Sequence, residues 1–297
     1  MRVWMPLAIF AAWGMVTSGA QDRPQFRARV DVVSVDDSVR DGGRVVAGLG
    51  AIDFEVVDNG IAQQIDSLTI ENLPIDATLV IEVSNEVITN DRTRTLRTDL
   101  QRVAELLGPA DHLRVLADGT YVTEAVPDRP GTAPLPVEAL PSGGGSAPGD
   151  ALTLALMRPA VQGRRQLVVL FTLGTAYYTV LDDDTVIAVA RRSDALLHLV
   201  GGPIWTGGSV NRGRLVDSPH LIPLRAAAEA TGGAAHDSGR GLAAAFKDII
   251  DDFRASYLLR YTPRGVQKTG WHDISVRVTK PGSSKFAVRA RRGYVSG

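Results

Sequence analysis

The stretch Leu79-Val80-Ile81-Glu82-Val83-Ser84-Asn85-Glu86 is an apolar strand that stops abruptly at a carboxylate, a hydroxyl and a second carboxylate. A strand this apolar has to be buried on both sides, which places it inside a parallel sheet covered by helices. In open α/β sheets ligands collect at the carboxyl ends of the strands, so the exit of this strand is the natural place for a site.

The surrounding pattern agrees with such a sheet. Leu96, Leu100, Val103, Ala104 and Leu107 fall on one face of a helix expected over Thr93–Leu107, which Gly108-Pro109 ends. His112–Ala117 and Tyr121–Val126 read as strands around an Asp118-Gly119 turn. A helix near Asp150–Met157 precedes the apolar strand Gln166–Phe171, and a weaker helix over Thr185–Arg192 precedes a strand over Asp194–Val200. Two more helices follow: Leu221–Ala230, with Pro223 in its first turn, and Leu242–Phe253, with Leu242, Phe246, Ile249, Ile250 and Phe253 on one face. Strands alternating with helices predict an α/β fold, a Rossmann-like doubly wound and mostly parallel sheet.

Segments without helical period bracket this core. Residues 26–72 read as turn-linked strands, with Asp41-Gly42-Gly43 and Asp58-Asn59-Gly60 as turns. After Phe253 come the strands Ser256–Tyr261, Trp271–Val278 and Lys285–Arg291. Pro127–Gly149, dense in Pro, Gly and Ser, reads as a long loop on the upper rim of the sheet. The expected organisation is a leader over 1–20, an N-terminal β unit over 21–75, the α/β domain over 76–254 and a C-terminal β extension over 255–297.

Met1–Ala20 has the form of a signal peptide, with Arg2 ahead of an apolar run and Ser18-Gly19-Ala20 as the cleavage site, so the expectation is export to a periplasm or the cell exterior. Beyond it no segment is long and apolar enough to cross a bilayer. The chain has no cysteine, which excludes disulfides, thiol catalysis and thiolate metal sites. Its net charge of −1 argues against a nucleic-acid partner. The basic residues are 28 Arg against 4 Lys, a skew that reads as genome composition, and the Arg289, Arg291, Arg292 cluster reads as a solvated face.

The order of these pieces resembles the von Willebrand factor A-like proteins, and most closely the exported VWFA-related group abundant in acidobacteria. The carriers are Leu49–Gly60, Leu79–Val83, Ala226–Gly233, Tyr257–Pro263, Gly270-Trp271-His272 and Val288–Tyr294. The resemblance implies a metal-ion-dependent adhesion site of the form Asp-x-Ser-x-Ser, a loop Thr, and an Asp after a later strand. Hard cations favour such oxygen ligands aimed from strand ends, with one position left for a partner's carboxylate. Matched residue by residue, Glu82 stands for the first Asp, Ser84 for the first Ser, Glu86 for the second Ser and Ser146 for the loop Thr. The last Asp falls at Leu173, which offers no lone pair. The resemblance therefore implies a non-enzymatic protein that binds a protein partner through its strand-end loops, with a degenerate metal site and no cofactor. The competing expectation is a shifted calcium or magnesium site on Glu82, Ser84, Glu86 and Ser146.

Other chemistry is sparse. The five histidines, His112, His198, His220, His236 and His272, make no zinc spacing; His198 reads as a core residue and His272 as structural. Ser84 could serve a hydrolase with a loop histidine, yet no nucleophile elbow surrounds it. A structural role in the cell envelope is a third reading. Asp182-Asp183-Asp184 reads as the acidic start of a helix. The Gly-rich loop Gly201–Gly208 lacks the G-K-[ST] of a phosphate loop. Trp205 within it, with Tyr177-Tyr178, is a candidate aromatic contact patch.

Overall fold

A computed structural model describes residues 32–70, 73–84, 90–141, 143–172, 179–201, 205–206, 209–210, 221–237 and 241–297. The side chains of residues 90–95 and 205–210 are not among those described. The expected signal peptide lies outside these residues.

The first strands are β1 (Val33–Asp41), β2 (Arg44–Val45), β3 (Phe54–Asp58), β4 (Ile61–Gln63) and β5 (Ile65–Thr69). The turns between them are the expected ones: Gly42 and Gly43 have φ of 56° and 87°, and Asn59 and Gly60 of 45° and 80°. Both central residues with φ > 0 define the tight hairpin that matches strand twist. The core follows with β6 (Ile75–Glu82), α1 (Asn90–Glu105), β7 (His112–Asp118), β8 (Val122–Pro130), α2 (Pro148–Leu156), β9 (Arg165–Thr172), α3 (Asp183–Arg192) and β10 (Leu196–Gly201). Two short strands, β11 (Trp205–Thr206) and β12 (Ser209–Val210), precede α4 (Ile222–Thr231), β13 (Ala235–Asp237) and α5 (Leu242–Ala255). The chain ends with β14 (Tyr257–Tyr261), β15 (Gly270–Val278), β16 (Phe286–Arg289) and β17 (Gly293–Ser296).

The central sheet runs β13-β10-β9-β6-β7-β8, parallel except for the antiparallel edge strand β8. All eight residues of β6 are buried, because the strand lies in mid-sheet and its side chains alternate between two apolar layers. Leu79, Ile81 and Val83 enter one layer with Leu100 and Val103 of α1 and Phe246 and Ile249 of α5. Val80 enters the other with Leu152 of α2, Val186 of α3 and Ala227 and Ala228 of α4. The remaining strands form antiparallel sheets: the two-stranded β11-β12, and two larger ones, β16-β1-β14-β5 with β2 beside β1, and β17-β15-β3-β4. Each of the larger two mixes strands from both ends of the chain: β1 pairs with β14 and β16, and β3 with β15. A third apolar cluster, with Val35, Phe54, Val56, Tyr257, Leu259 and Ile274, draws on both sheets. Segments read separately in sequence are thus interleaved in space, since a short hairpin cannot bury its own apolar face.

Polar contacts tie this β module to the core. Asp252 of α5 accepts from Ser38 Oγ at 2.7 Å, from Arg40 Nη2 at 2.7 Å, and from Arg289 Nη2. These donors hold its carboxyl below the usual range against the upward push of burial. Arg165, at the start of β9, donates to Phe253 O at 2.9 Å, to Ser256 Oγ at 2.6 Å and to Asp36, and lies 4.0 Å over the Phe253 ring. Arg289 also donates to Gly232 O, Arg291 to Gly293 O and Arg292 to Glu229. The expectation of a solvated arginine face over 289–292 is therefore corrected for Arg289 and Arg291, which bracket the turn of α4 against the terminal strands.

The expected rim loop over Pro127–Gly149 is also corrected. β8 continues through Pro130, which pairs with His112 at the amino end of β7. An edge strand tolerates Pro127 and Pro130 because one of its sides has no ladder partner. The chain then returns past α1, burying Val137 in its layer, and only its last residues reach the rim.

Glycines at 232 and 233 let α4 turn directly into the sheet. Gly232 caps α4 with φ 90°, and a Cβ on Gly233 would sit 1.6 Å from Leu197 O. Gly233→Ala should therefore lower unfolding free energy by on the order of 3 kcal/mol, since backbone of β10 must move. Gly43→Ala, where a Cβ meets nothing within 4 Å but φ is positive, should cost about 1 kcal/mol. Equal costs in urea titrations would contradict this packing.

Candidate functional site

The parallel strands β6, β7 and β9 end side by side, with Glu82 directly opposite Asp118 and Thr172 one position past β6's last partner on β9. Glu82 is fully buried. Its Oε1 accepts from Ser84 Oγ at 2.8 Å and its Oε2 from Thr172 Oγ1 at 2.7 Å. Asp118 is equally buried, and accepts from Ala147 N at 2.6 Å and Ser146 Oγ at 2.8 Å. Burial pushes the Asp118 carboxyl up to about 7; the two hydrogen bonds work against that rise, and the charges of Glu82 and Asp150 add to it.

Ser146 reaches this point because the loop before α2 is stitched to the strand ends. Gly143 N donates to Val83 O, Gly145 N to Thr120 Oγ1, and Val83 N to Asp118 O. A Cβ on Gly144, at φ 98°, would come within 2.2 Å of Thr120 Oγ1, so only glycine lets the loop lie this close. Asp150, in the first turn of α2, accepts from Val180 N and Leu181 N and holds the segment before α3 against the same rim. Asp182 caps α3 by accepting from Thr185 N at 2.7 Å, the acidic helix start expected for the Asp triplet. Two large apolar side chains project from this rim: Tyr121 is 81 % exposed and Val180 88 %.

The structure brings Glu82, Ser84 and Ser146 to one strand-end shelf. Ser146, however, is bonded to Asp118 and not to Glu82 or Ser84. Glu86, Leu173, Tyr177 and Tyr178 lie outside the described residues, as does the side chain of Trp205, whose backbone forms β11. Asp118 and Thr172 were missed in sequence. Asp118 looked like the first residue of a turn, and the signal that could have singled it out is its place at the exit of the strand adjoining β6.

The described residues matched to the family's cation site are bonded to one another and to their neighbours. The Glu82 carboxylate accepts hydroxyl hydrogens at both oxygens, and Ser146 is committed to Asp118. Among the described residues no three His, Asp or Glu groups converge as metal ligands. The Ser84 hydroxyl donates to Glu82, and the described histidines bond elsewhere. His112 contacts Asp128 and Arg164, His198 contacts His236, and His272 is buried against Asp58, Tyr294 and Ser296. His220 lies outside the described residues.

No protein-family model matches the chain, and no curated protein matches it by sequence. Solved structures are similar at the level of overall shape. A von Willebrand factor type A protein from Catenulispora acidiphila aligns over 89 % of this chain and 72 % of its own, at 11 % identity and TM-score 0.48. The conserved hypothetical protein BatB from Bacteroides thetaiotaomicron aligns over 60 % of this chain and 96 % of its own, at 13 % identity and TM-score 0.43. Proximal thread matrix protein 1 of the mussel byssus, with a zinc-occupied adhesion motif, aligns over 65 % of this chain at 15 % identity and TM-score 0.48, and the chain spans about half of that protein's length. Likeness this distant assigns neither activity nor ligand.

The raised carboxyl of Asp118 sets a pH signature. Its folded pKa of about 7 lies above the unfolded value, so the folded state binds the extra proton and this group's contribution to stability falls as pH rises from about 4 to 7. Asp118→Asn keeps an acceptor for Ala147 N and lets Ser146 accept from the amide. The variant should match the wild type near pH 4 and exceed it by about 2 kcal/mol or more at pH 8, in denaturant titrations at the two pH values. A gap that does not grow with pH would refute the buried-acid assignment.

Proposed function

We propose that the chain is an exported, von Willebrand factor A-like binding protein of the acidobacterial VWFA-related type. In this reading a Rossmann-like doubly wound core over 76–254 carries the site, and the strands of 21–75 and 255–297 form its β support. The adhesion site is degenerate: Glu82 and Asp118 have become buried acids that brace loops, and a protein partner is held by the rim itself. Glu82, Ser84 and Ser146 build the shelf, and Glu86 and Trp205 are further binding residues in this reading. No catalytic residue and no cofactor are assigned.

The exposed pair Tyr121 and Val180, at the strand-end rim over a fully hydrogen-bonded shelf, carries this reading. Aromatic side chains held out on rigid strand-end loops supply contact area with little ordering cost on binding. The shelf explains the rigidity, because four hydroxyl or amide donors fasten the loops to two carboxylates. Leu173 in place of the last family Asp and the methylene added by Glu82 favour a rim that works without the ion.

Two measurements test it together. Millimolar calcium, magnesium or zinc should leave the melting temperature unchanged, whereas a site filled at 100 times its Kd would add about 2.7 kcal/mol. A photo-crosslinking residue at position 121 should capture a discrete protein from the native envelope, insensitive to chelator and lost in Val180→Asp. The same residue at position 44, on the exposed β2, should capture none. A clear metal-induced rise in melting temperature, or crosslinks lost on chelation, would restore the metal-dependent reading.

A further inference from the structure

At the opposite pole of the central sheet a cavity of about 700 Å³ opens at the amino ends of β9 and β10, bounded by β1, β14 and β17. This is within the range of pockets that hold small molecules. Six arginines line it: Arg164, Arg165, Arg191, Arg192, Arg260 and Arg291. The acidic side chains of the lining are Asp36 and Asp194, so arginines outnumber acidic side chains there in a chain whose net charge is −1. The chain's preference for arginine over lysine accounts for the residue type and not for this concentration.

The arrangement is built and not incidental. Arg165 is buried and fixed by Asp36, Ser256 Oγ and Phe253 O, which uses the Asp36 charge inside the wall. Arg191 lies over the Trp271 ring at 4.9 Å, a contact that positions its guanidinium without neutralising it. Arg291 donates to carbonyl oxygens, Gly293 O at 2.8 Å and Ser193 O at 3.4 Å, so its charge also persists. Burial lowers the affinity of Arg291 for its proton, an electrostatic cost that an anion beside it would offset. Guanidinium forks match the oxygen pairs of phosphate and carboxylate groups, and several forks around one cavity select ligands with several such groups.

We infer that this arginine-lined cavity binds a small ligand carrying two or more clustered oxyanion groups, phosphoryl or carboxylate. The site is independent of the strand-end rim, and neither reading depends on the other. Inorganic tripolyphosphate and citrate serve as the two probes in calorimetric titrations of the whole chain at low salt. At least one should bind saturably at one per chain, more weakly as sodium chloride rises; the stronger of the two identifies the anion class. Arg191→Glu with Arg192→Glu, both exposed on the last turn of α3, should weaken that binding about tenfold or more. Arg44→Glu, exposed on β2 and outside the lining, should leave it unchanged. Should the double variant lose its melting transition, Arg192→Gln alone is read the same way, with a smaller loss expected. Absence of saturable binding of both probes to the folded chain, or unchanged affinity in a folded charge variant, would overturn the assignment.

Discussion

Burial of β6 on both of its faces is the constraint on which the rest of the structure depends. A strand with no solvent-facing side needs an apolar layer above and below, and each layer here is supplied by helices that the chain must deliver between parallel neighbours. That requirement sets the strand order, places α1 and α5 on one face and α2, α3 and α4 on the other, and brings Glu82, Asp118 and Thr172 to a common edge. The acids are buried because the strands that carry them are buried.

The second organising contact joins the two ends of the chain. β1, β14 and β16 share one sheet, and β3 and β15 another, so neither terminal segment completes its sheets without the other. Asp252 and Arg165 then fasten this module to the α/β core with charged hydrogen bonds. Breaking one partner of such a buried cluster leaves an uncompensated charge, which is why its geometry is specific even where its net contribution to stability is modest. The same docking leaves the arginine-lined cavity at the seam.

Asp118 shows what burial beside a second carboxylate does to an acid. Asp118 takes one backbone and one hydroxyl donor yet remains raised to about 7, with burial the largest influence and the Glu82 charge a further one. The two carboxylates are tied by hydrogen bonds to Ser84, Ser146, Ala147 and Thr172, and Tyr121 and Val180 stand exposed on the same rim.

Local pattern in the sequence was sufficient for the strands β6, β9 and β10, the faces of α1 and α5, and the tight turns at Gly42-Gly43 and Asn59-Gly60, because periodicity and positive-φ chemistry act over a few residues. It also marked Glu82 and Ser84 as the polar end of the central strand, while Ser146 entered only through the family resemblance. Partner choice over long separations was not legible: the pairing of β1 with β14 spans more than two hundred residues, the path of residues 127–149 depends on an edge strand that accepts prolines, and Asp118 acquires its role only when β7 is laid beside β6. The sequence by itself determined which segments had to be buried and which residues end the central strand. The tertiary structure alone decided that Ser146 turns to Asp118, that Arg289 and Arg291 are bound instead of solvated, and that six arginines meet in one cavity, because those outcomes depend on distances across the fold that no local spacing encodes.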